Sequence, residues 1–235
     1  MQRPSLRKIT KILDGAVYRV DRSKFLSDIF EALAIAISNR VDTRQAAERE
    51  KRYMQIMAFY QVEERVLMSE VAAEIFALCS ACASNPGAFN DWLGELFMQS
   101  NTSNAKAGQF FTPYDVSKAA AEVAVDKQET EKKKANGEIL TISEPACGSG
   151  GMILAALDVL ANKCEFNYAA NAFVEASDID SRCVHMCYIQ LSLAGVPAII
   201  KQQDALSRQI WSVWYTPAYL FQYLKFRKFG KVANM

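Results

Sequence analysis

The segment 143-SEPACGSGGM-152 contains the densest glycine cluster of the chain and decides how its second half folds. It follows an apolar stretch at 139–142 that predicts a β-strand, and it leads into residues 150–163, whose apolar spacing predicts a helix. Gly148, Gly150 and Gly151 let the backbone turn sharply and approach a ligand without a Cβ in the way. The strand, glycine turn and helix predict one unit of an α/β fold with a binding loop at the turn.

Strands and helices continue to alternate after this turn. Residues 171–178 and 197–204 predict two further strands, and 181–195 predicts the helix between them. This alternation is typical of a parallel sheet with crossover helices. After Asp204 the pattern stops, and the remaining residues are aromatic and basic. We therefore expect a sheet of parallel type that is shortened at its C-terminal side.

The first hundred residues have a helical pattern throughout. Residues 21–41 carry an apolar side chain at every fourth position, with Asp21 or Ser23 as the N-cap. The run from Asp42 to Pro86 contains no Gly or Pro before its end, so it is either one extended helix or bends near Tyr60. These patterns predict two domains, a helical domain at 1–104 and an α/β domain at 105–235. The charged stretch 126–138 is expected to be a solvated connector.

Composition places the chain among globular proteins. It has 235 residues, 51% of them hydrophobic, and a formal net charge of +1, so bulk charge predicts neither nucleic-acid nor membrane binding. Its first residues do not resemble a signal peptide, and no apolar run approaches the roughly 20 residues of a membrane span. These features predict a cytoplasmic protein with reduced cysteines and no membrane contact.

The six cysteines do not predict a metal site. Cys79 and Cys82 lie in a predicted helix end, and Cys183 and Cys187 flank His185, the only histidine. Tetrahedral zinc sites usually show paired short spacings, which these distant groups lack. We interpret the cysteines as core residues.

Acidic residues follow each of the three predicted strands, at Glu144, Asp178 and Asp204. Parallel strands end at one edge of the sheet, where ligands of such folds bind. A carboxylate at Asp178 can accept both hydroxyls of a ribose, and one at Asp204 can accept from the amino group of adenine. The glycine spacing matches neither a P-loop nor the dinucleotide fingerprint. An ordinary tight turn is the simpler alternative.

Two motifs together carry a resemblance to a known family. The segment 108-GQFFTP-113, followed by the glycine loop, resembles the N-6 adenine DNA methyltransferases, especially the modification subunits of type I restriction systems. The resemblance covers roughly 105–206 and implies a Rossmann-like, S-adenosyl-L-methionine-dependent methyltransferase domain. It also implies a site-specific enzyme that transfers a methyl group to the amino group of a flipped adenine in DNA, as part of restriction-modification. The implied partners are DNA and possible specificity or restriction subunits.

The resemblance also assigns a cofactor site. In such a site Thr112 lies near the methionine carboxylate, Asp178 holds the ribose, Ile179 packs on the adenine and Asp204 binds its amino group. An acidic, carbonyl-rich pocket suits the sulfonium cation. The cofactor residues implied in this way are Gln109, Phe110, Thr112, Glu144, Ala146, Gly148, Gly150, Asp178, Ile179, Asp204 and Ala205.

The chain departs from the family at its catalytic motif, Asn/Asp-Pro-Pro-Tyr/Phe, which is absent. The nearest string is 215-YTPAY-219, which makes Thr216, Pro217 and Tyr219 the candidate catalytic residues. An unrelated aromatic turn is an equal alternative. Thr216 offers a hydroxyl where the family has an amide or carboxylate acceptor. The sequence therefore does not decide whether the chain catalyses methyl transfer.

Three functions therefore remain. The first is an adenine methyltransferase, and the second is a relative that binds S-adenosylmethionine with weak or no turnover and acts as a partner or anti-restriction module. The third is methyl transfer to RNA or protein. The tail 224-LKFRKFGKVANM-235 interleaves basic and aromatic residues, which suits nucleic-acid binding or a solvated terminus.

Overall fold

The computed structural model describes residues 6–15, 20–85, 88–101 and 111–229. Within these ranges the chain forms a mixed α/β fold of one four-stranded sheet with helices around it. The helices are α1 (Arg7–Asp14), α2 (Arg22–Ser38), α3 (Ala46–Phe59), α4 (Val62–Ser84), α5 (Trp92–Asn101), α6 (Tyr114–Ala124), α7 (Lys127–Asn136), α8 (Gly151–Lys163), α9 (Tyr168–Asn171), α10 (Ser181–Leu193), α11 (Pro217–Phe221) and α12 (Tyr223–Phe226). The strands are β1 (Leu140–Glu144), β2 (Ala172–Asp178), β3 (Ala198–Gln203) and β4 (Ile210–Tyr215).

Local signals define the helices before the sheet. The side chain of Asp21 accepts from the Lys24 amide and caps α2, as one of the two predicted N-caps. The long run after residue 42 bends at Tyr60, where α3 ends and α4 begins. The Tyr60 hydroxyl donates to the Asp28 carboxylate at 2.6 Å. This bond joins the bend to α2, so the two-helix alternative is the one that forms.

Helix α4 is unusually apolar. Among the described residues it is the one helix that could cross a membrane by length and composition. One face of α4, including Met68, Val71 and Ile75, is buried in the core. The expectation that no apolar stretch approaches the length of a membrane span is therefore wrong for Val62–Ser84, although one such helix is weak evidence for a membrane contact.

The charged stretch 126–138 is not a connector, contrary to expectation, because it folds as α7. The Asp126 side chain accepts from the amides of Gln128 and Glu129 and caps its start. Gly137 ends the helix with a left-handed φ of 65°. An acidic N-cap, a C-terminal glycine and helix-forming Lys and Glu residues favour a helix even without an apolar face.

The sheet has the order β1-β2-β3-β4. The first three strands are parallel, as predicted, whereas β4 is antiparallel to β3. The expectation that regular structure stops after Asp204 is therefore wrong. β4 returns along β3, so that Ile210 pairs with Gln203 and Tyr215 pairs with Ile199. The end of β4 consequently lies beside the start of β3.

The sheet is covered on both faces. Alternate residues of β2 and β3, such as Val174 and Ile200, belong to a core that continues into α8, α10 and the N-terminal helices. On the other face an aromatic cluster forms around Phe173 and Tyr219. Helix α10 packs against both α2 and α4. One core thus runs through both predicted domains, and the boundary near residue 104 stays a prediction.

Candidate functional site

The glycine loop between β1 and α8 has a backbone that requires glycine. Gly148 has φ 52° and Gly150 has φ 98°, both in the left-handed range that other residues rarely adopt. The Gly150 amide donates to the Cys147 carbonyl at 2.8 Å and closes the turn. A Cβ on Gly148 would lie 3.0 Å from the ring of Phe111. The loop is therefore in close contact with the F-T-P segment, although these motifs lie far apart in sequence.

Asp178 links the end of β2 to the glycine loop. Its Oδ2 accepts from the Gly148 amide at 2.9 Å, and its Oδ1 accepts from the Asp180 amide at 2.9 Å. The Ser177 carbonyl accepts from the Cys147 amide at 2.8 Å. Two carboxylate oxygens offer about four acceptor positions, so Asp178 can accept from further donors such as hydroxyl groups. The residue predicted to hold a ribose is thus placed directly at the loop.

A buried carboxylate from the N-terminal half supports the loop from the other side. Asp91 Oδ2 accepts from the Ser149 hydroxyl at 2.5 Å, and its Oδ1 accepts from Gln190 Nε2 at 2.8 Å and from the Gly94 amide at 3.0 Å. Gln190 also donates to the Ser149 carbonyl at 2.8 Å. Burial raises the pKa of Asp91, and these hydrogen bonds oppose the shift. Asp91 therefore fixes the loop to α5 and α10.

Asp91 and Gln190 are not among the site residues predicted from the sequence. The one available signal was the position of Asp91 directly before α5, which suits an N-cap, and the residue does accept from the Gly94 amide. Nothing local predicts that the same carboxylate reaches Ser149, 58 residues further along the chain. The glycines around it fit this arrangement, since a Cβ on Gly94 or Gly151 would collide with Asp91.

The remaining predicted cofactor residues form an open rim. Asp204 follows β3, and its Oδ1 accepts from the amides of Leu206 at 2.8 Å and Ser207 at 3.3 Å. These bonds, that of Leu206 above all, lower the pKa of Asp204 and keep it ionised. Ile179 is 61% exposed, and Glu144 accepts from the Ala146 amide at 3.2 Å. Ala146 and Ala205 are exposed. The rim thus presents ionised or polar groups at the carboxyl ends of three strands.

Thr112 lines a cavity next to this rim. The cavity has a volume of about 510 Å³ and lies between α5 and the start of α6, with Asp91, Gly94, Phe111 and Pro113 also in its lining. Ligand pockets typically measure about 300–1,000 Å³. Asp178 and Asp204 are not part of this lining, but Phe111 joins the cavity to Gly148. Gln109 and Phe110 lie outside the described residues.

A comparison with known families agrees with the resemblance carried by the glycine loop and the F-T-P segment. The family model for N-6 DNA Methylase matches residues 89–219, which is more than half of the chain. The chain belongs to the N-6 DNA methylase family. No curated protein and no solved structure matches it. The matched region begins just before Asp91 and ends at Tyr219, so it contains the loop, its supporting carboxylate and the 215-YTPAY-219 string.

This family member does not bring Thr216 to the glycine loop. Thr216 follows β4, whose antiparallel direction places it beside Ala198 at the amino end of β3. Its side chain is fully buried, donates to the Val196 carbonyl at 2.7 Å and accepts from the Ala198 amide at 2.9 Å. The loop and Asp178 lie at the carboxyl ends of β1 and β2. The candidate catalytic residue is therefore at the opposite end of the sheet from the candidate cofactor site.

Pro217 and Tyr219 also have structural roles in this part of the fold. Thr216 caps α11 with its hydroxyl, and Pro217 occupies the first helical turn, where its missing N–H costs nothing. Tyr219 is 1% exposed, and its ring stacks on Tyr215 at 5.6 Å between centroids. A residue that stacks on a flipped base needs an accessible ring face. This placement favours the alternative that the string is an aromatic turn unrelated to catalysis.

The described part of the basic and aromatic tail lies near the same end. Phe226 is fully buried and stacks on Phe173 at 6.1 Å. Lys225 Nζ donates to Asn171 Oδ1 at 2.9 Å. These contacts direct Phe226 inward, so this ring cannot stack on nucleic-acid bases.

The cysteines near the loop are buried and unbridged. A hydrogen bond with Cys187 and burial raise the pKa of Cys147 well above that of a free thiol. Cys147 is therefore a neutral thiol at pH 7, which is a poor nucleophile. Within the described ranges, no three His, Cys, Asp or Glu side chains are grouped so that they could hold a metal ion.

Proposed function

We propose that the chain binds S-adenosylmethionine at the carboxyl ends of β1, β2 and β3. The observation that carries the proposal is the Asp178 carboxylate, which accepts from the Gly148 amide at 2.9 Å and retains positions for ribose hydroxyls. The left-handed glycines of the loop leave room for close approach of a ligand. When bound, this cofactor supplies an electrophilic methyl group on a sulfonium. Members of the N-6 DNA methylase family use the same cofactor.

The charges around the loop suit this cofactor. Glu144, Asp178 and Asp204 lie at the carboxyl ends of β1, β2 and β3, the end of the sheet that carries the loop, and residues 143–152 include no Lys or Arg. Sulfonium and ammonium groups are cations, which an acidic rim attracts. A nucleoside triphosphate would instead need basic groups or the P-loop spacing. The electrostatics therefore favour S-adenosylmethionine over a phosphorylated nucleotide.

We further propose that the methyl acceptor is the amino group of a flipped adenine in DNA, and that the chain alone turns over weakly or not at all. Family membership supports DNA as the partner. The burial of Thr216 at the opposite end of the sheet supports the low turnover, because its hydroxyl cannot reach an acceptor at the glycine loop. This makes the chain a cofactor-binding module that acts with specificity or restriction subunits or against restriction. A cytoplasmic location stays a prediction.

Calorimetric titration with S-adenosylmethionine tests the binding site. We expect Asp178→Asn to weaken binding about 10- to 100-fold, because hydrogen bonds to a charged group contribute about 1.5–3 kcal/mol. Asp180→Asn is the matched control, since this acid lies two residues away and its side chain instead bonds Arg182. It should change the affinity by no more than about threefold, because its carboxylate caps α10 and pairs with Arg182 and does not bond the glycine loop. No binding by the wild-type chain, or equal loss in both variants, would contradict the proposed site.

Turnover is tested separately by transfer of labelled methyl to adenine-rich DNA, with RNA and protein acceptors in parallel. We expect background incorporation from the chain alone. Incorporation into DNA that Thr216→Ser preserves and Thr216→Ala abolishes would show instead that 215-YTPAY-219 is catalytic. Incorporation into RNA or protein alone would identify another acceptor.

A further inference from the structure

The outer edge of β1 is open. β1 pairs with β2 on one side, and no strand among the described residues pairs with the other. Parallel strands are normally enclosed, and exposed edges are usually protected by Lys, Pro or a bulge. The sequence of β1, Leu-Thr-Ile-Ser-Glu, has none of these, its one charged residue, Glu144, lies at its end, and its pairing with β2 is regular. The backbone groups on its outer side, which no described residue pairs, can therefore accept another strand.

At the other edge of the sheet, two side chains bond one carbonyl of β4. Arg49 Nη2 donates to the Val213 carbonyl of β4 at 2.8 Å, and Gln45 Nε2 donates to the same oxygen at 3.4 Å. The pairing of β4 with β3 is also irregular between Gln202 and Gln203. Irregular pairing and capped carbonyls are features that prevent further strand addition. Neither of these two features is present at the β1 edge among the described residues.

A groove follows the open edge of β1. It has a volume of about 490 Å³, and its walls come from α6, α7 and α8. Apolar side chains, including Ala120, Ala124 and Met152, line it together with Leu140 and Ile142 of β1. Met152 is 39% exposed. We call this surface, the open edge and the residues just named, the β1 groove.

The rim of the β1 groove is acidic. Asp126, Glu129 and Glu144 line it, against the single base Lys133. Two copies of the chain joined through this groove would bring their acidic rims together, which disfavours a second copy as the occupant. A segment with basic residues beside the strand has the complementary charge.

We propose that the β1 groove binds an extended segment of a partner polypeptide, which adds a strand to the sheet. Backbone hydrogen bonds to β1 would hold it, as in other cases of strand addition. In β1, Leu140 and Ile142 pack against the core whereas Thr141 and Ser143 are exposed. The added strand has the same alternation of apolar and polar residues, flanked by Lys or Arg. The proposal does not depend on cofactor binding.

A displayed library of random nine-residue peptides, selected on the full chain, tests this. We expect enriched peptides that alternate apolar and polar residues with basic ends. Their synthetic forms should bind at least tenfold more weakly to Ala120→Trp, which fills the groove. Ala119→Trp is the matched control, because Ala119 is also exposed on α6 but does not line the groove. It should leave the affinity unchanged.

Two further measurements make the result decisive. Methylation of peptide backbone amides on one side should abolish binding, and bound peptide should slow hydrogen exchange in Leu140–Glu144. No enriched peptides, equal binding to both tryptophan variants, or insensitivity to amide methylation would overturn the proposal. Dimers in sedimentation that Ala120→Trp disperses would instead identify a second copy. S-adenosylmethionine affinity, measured on the same proteins, should not change, so the two proposals fail independently.

Discussion

The two ends of the sheet use their polar groups in different ways. At the carboxyl end, Asp178 holds the glycine loop through one oxygen and retains acceptor positions, and the rim around it is open to solvent. At the amino end, the hydroxyl of Thr216 is fully engaged with the Val196 carbonyl and the Ala198 amide. Polar groups with unused capacity at a surface suit ligand binding, whereas buried and satisfied groups contribute to stability.

The same contrast holds for the backbone and the aromatic residues. Gly148 and Gly150 hold left-handed conformations at the carboxyl end, where glycine lets the backbone approach a ligand closely. The amino end instead has the closed cluster of Phe173, Tyr219 and Phe226. The glycine loop, which the family resemblance assigns to the cofactor, is thus at the open end, while the string most similar to the catalytic motif serves packing. Changes at the two ends should therefore separate affinity from stability.

The largest effect is expected for Tyr219→Ala. Removal of a buried aromatic side chain costs about 3–5 kcal/mol, because it leaves a cavity in the cluster. Urea unfolding measures this loss, and calorimetry on the folded fraction should give an unchanged affinity for S-adenosylmethionine. Tyr219→Phe keeps the ring and should be close to wild type. A loss of affinity without loss of stability would place Tyr219 in the binding site and remove the contrast.

The positions of the acidic residues at the carboxyl end of the sheet could be predicted from sequence, because parallel strands all end on the same side. Three parallel neighbouring strands cover residues 140–144, 172–178 and 198–203. The residues at their carboxyl ends, Glu144, Asp178 and Asp204, must therefore lie at the same end of the sheet. The family resemblance implied that the F-T-P segment and the glycine loop bind one cofactor, but it did not predict the contact between Gly148 and Phe111. Asp91 could not be predicted, since its bond to Ser149 depends on how α5 packs against the loop.

β4 was not predicted, although the sequence contained signals for both the strand and its direction. Only residues 204–209 separate β3 from β4. A parallel crossover needs a dozen or more residues, so a link of this length favours an antiparallel return. The stretch 210-IWSVWY-215 also includes β-forming residues.

Acid should lower the free energy of unfolding of the chain through His185. Burial lowers the pKa of His185 from 6.5 to about 4, although the nearby Glu31 carboxylate opposes this shift. Between these values the unfolded chain binds the proton and the folded chain does not, so stability present above pH 6.5 is lost as the pH falls toward 4. The difference corresponds to about 3 kcal/mol.

The control for this pH dependence is His185→Phe, which keeps a ring against Trp214. Urea unfolding at pH 7 and pH 4.5 should show a markedly smaller decrease for the variant than for the wild-type chain. Asp91, whose raised pKa acts in the opposite sense, is present in both proteins and cancels in the comparison. Equal decreases in the two proteins would mean that His185 is protonated in the folded state.

The smallest expected effect on stability, and the one that most sharpens the contrast, compares Gly150→Ala with Gly137→Ala. Both glycines have left-handed φ, which costs an alanine about 1–2 kcal/mol. Gly137 has open space around it, whereas a Cβ on Gly150 would lie 3.2 Å from Cys187 Sγ. Both variants should lose stability, Gly150→Ala more. Only Gly150→Ala should also lose S-adenosylmethionine affinity, because only this glycine shapes the loop. If both variants bind as wild type does, the loop conformation serves the fold alone, and the two ends of the sheet would not differ in function.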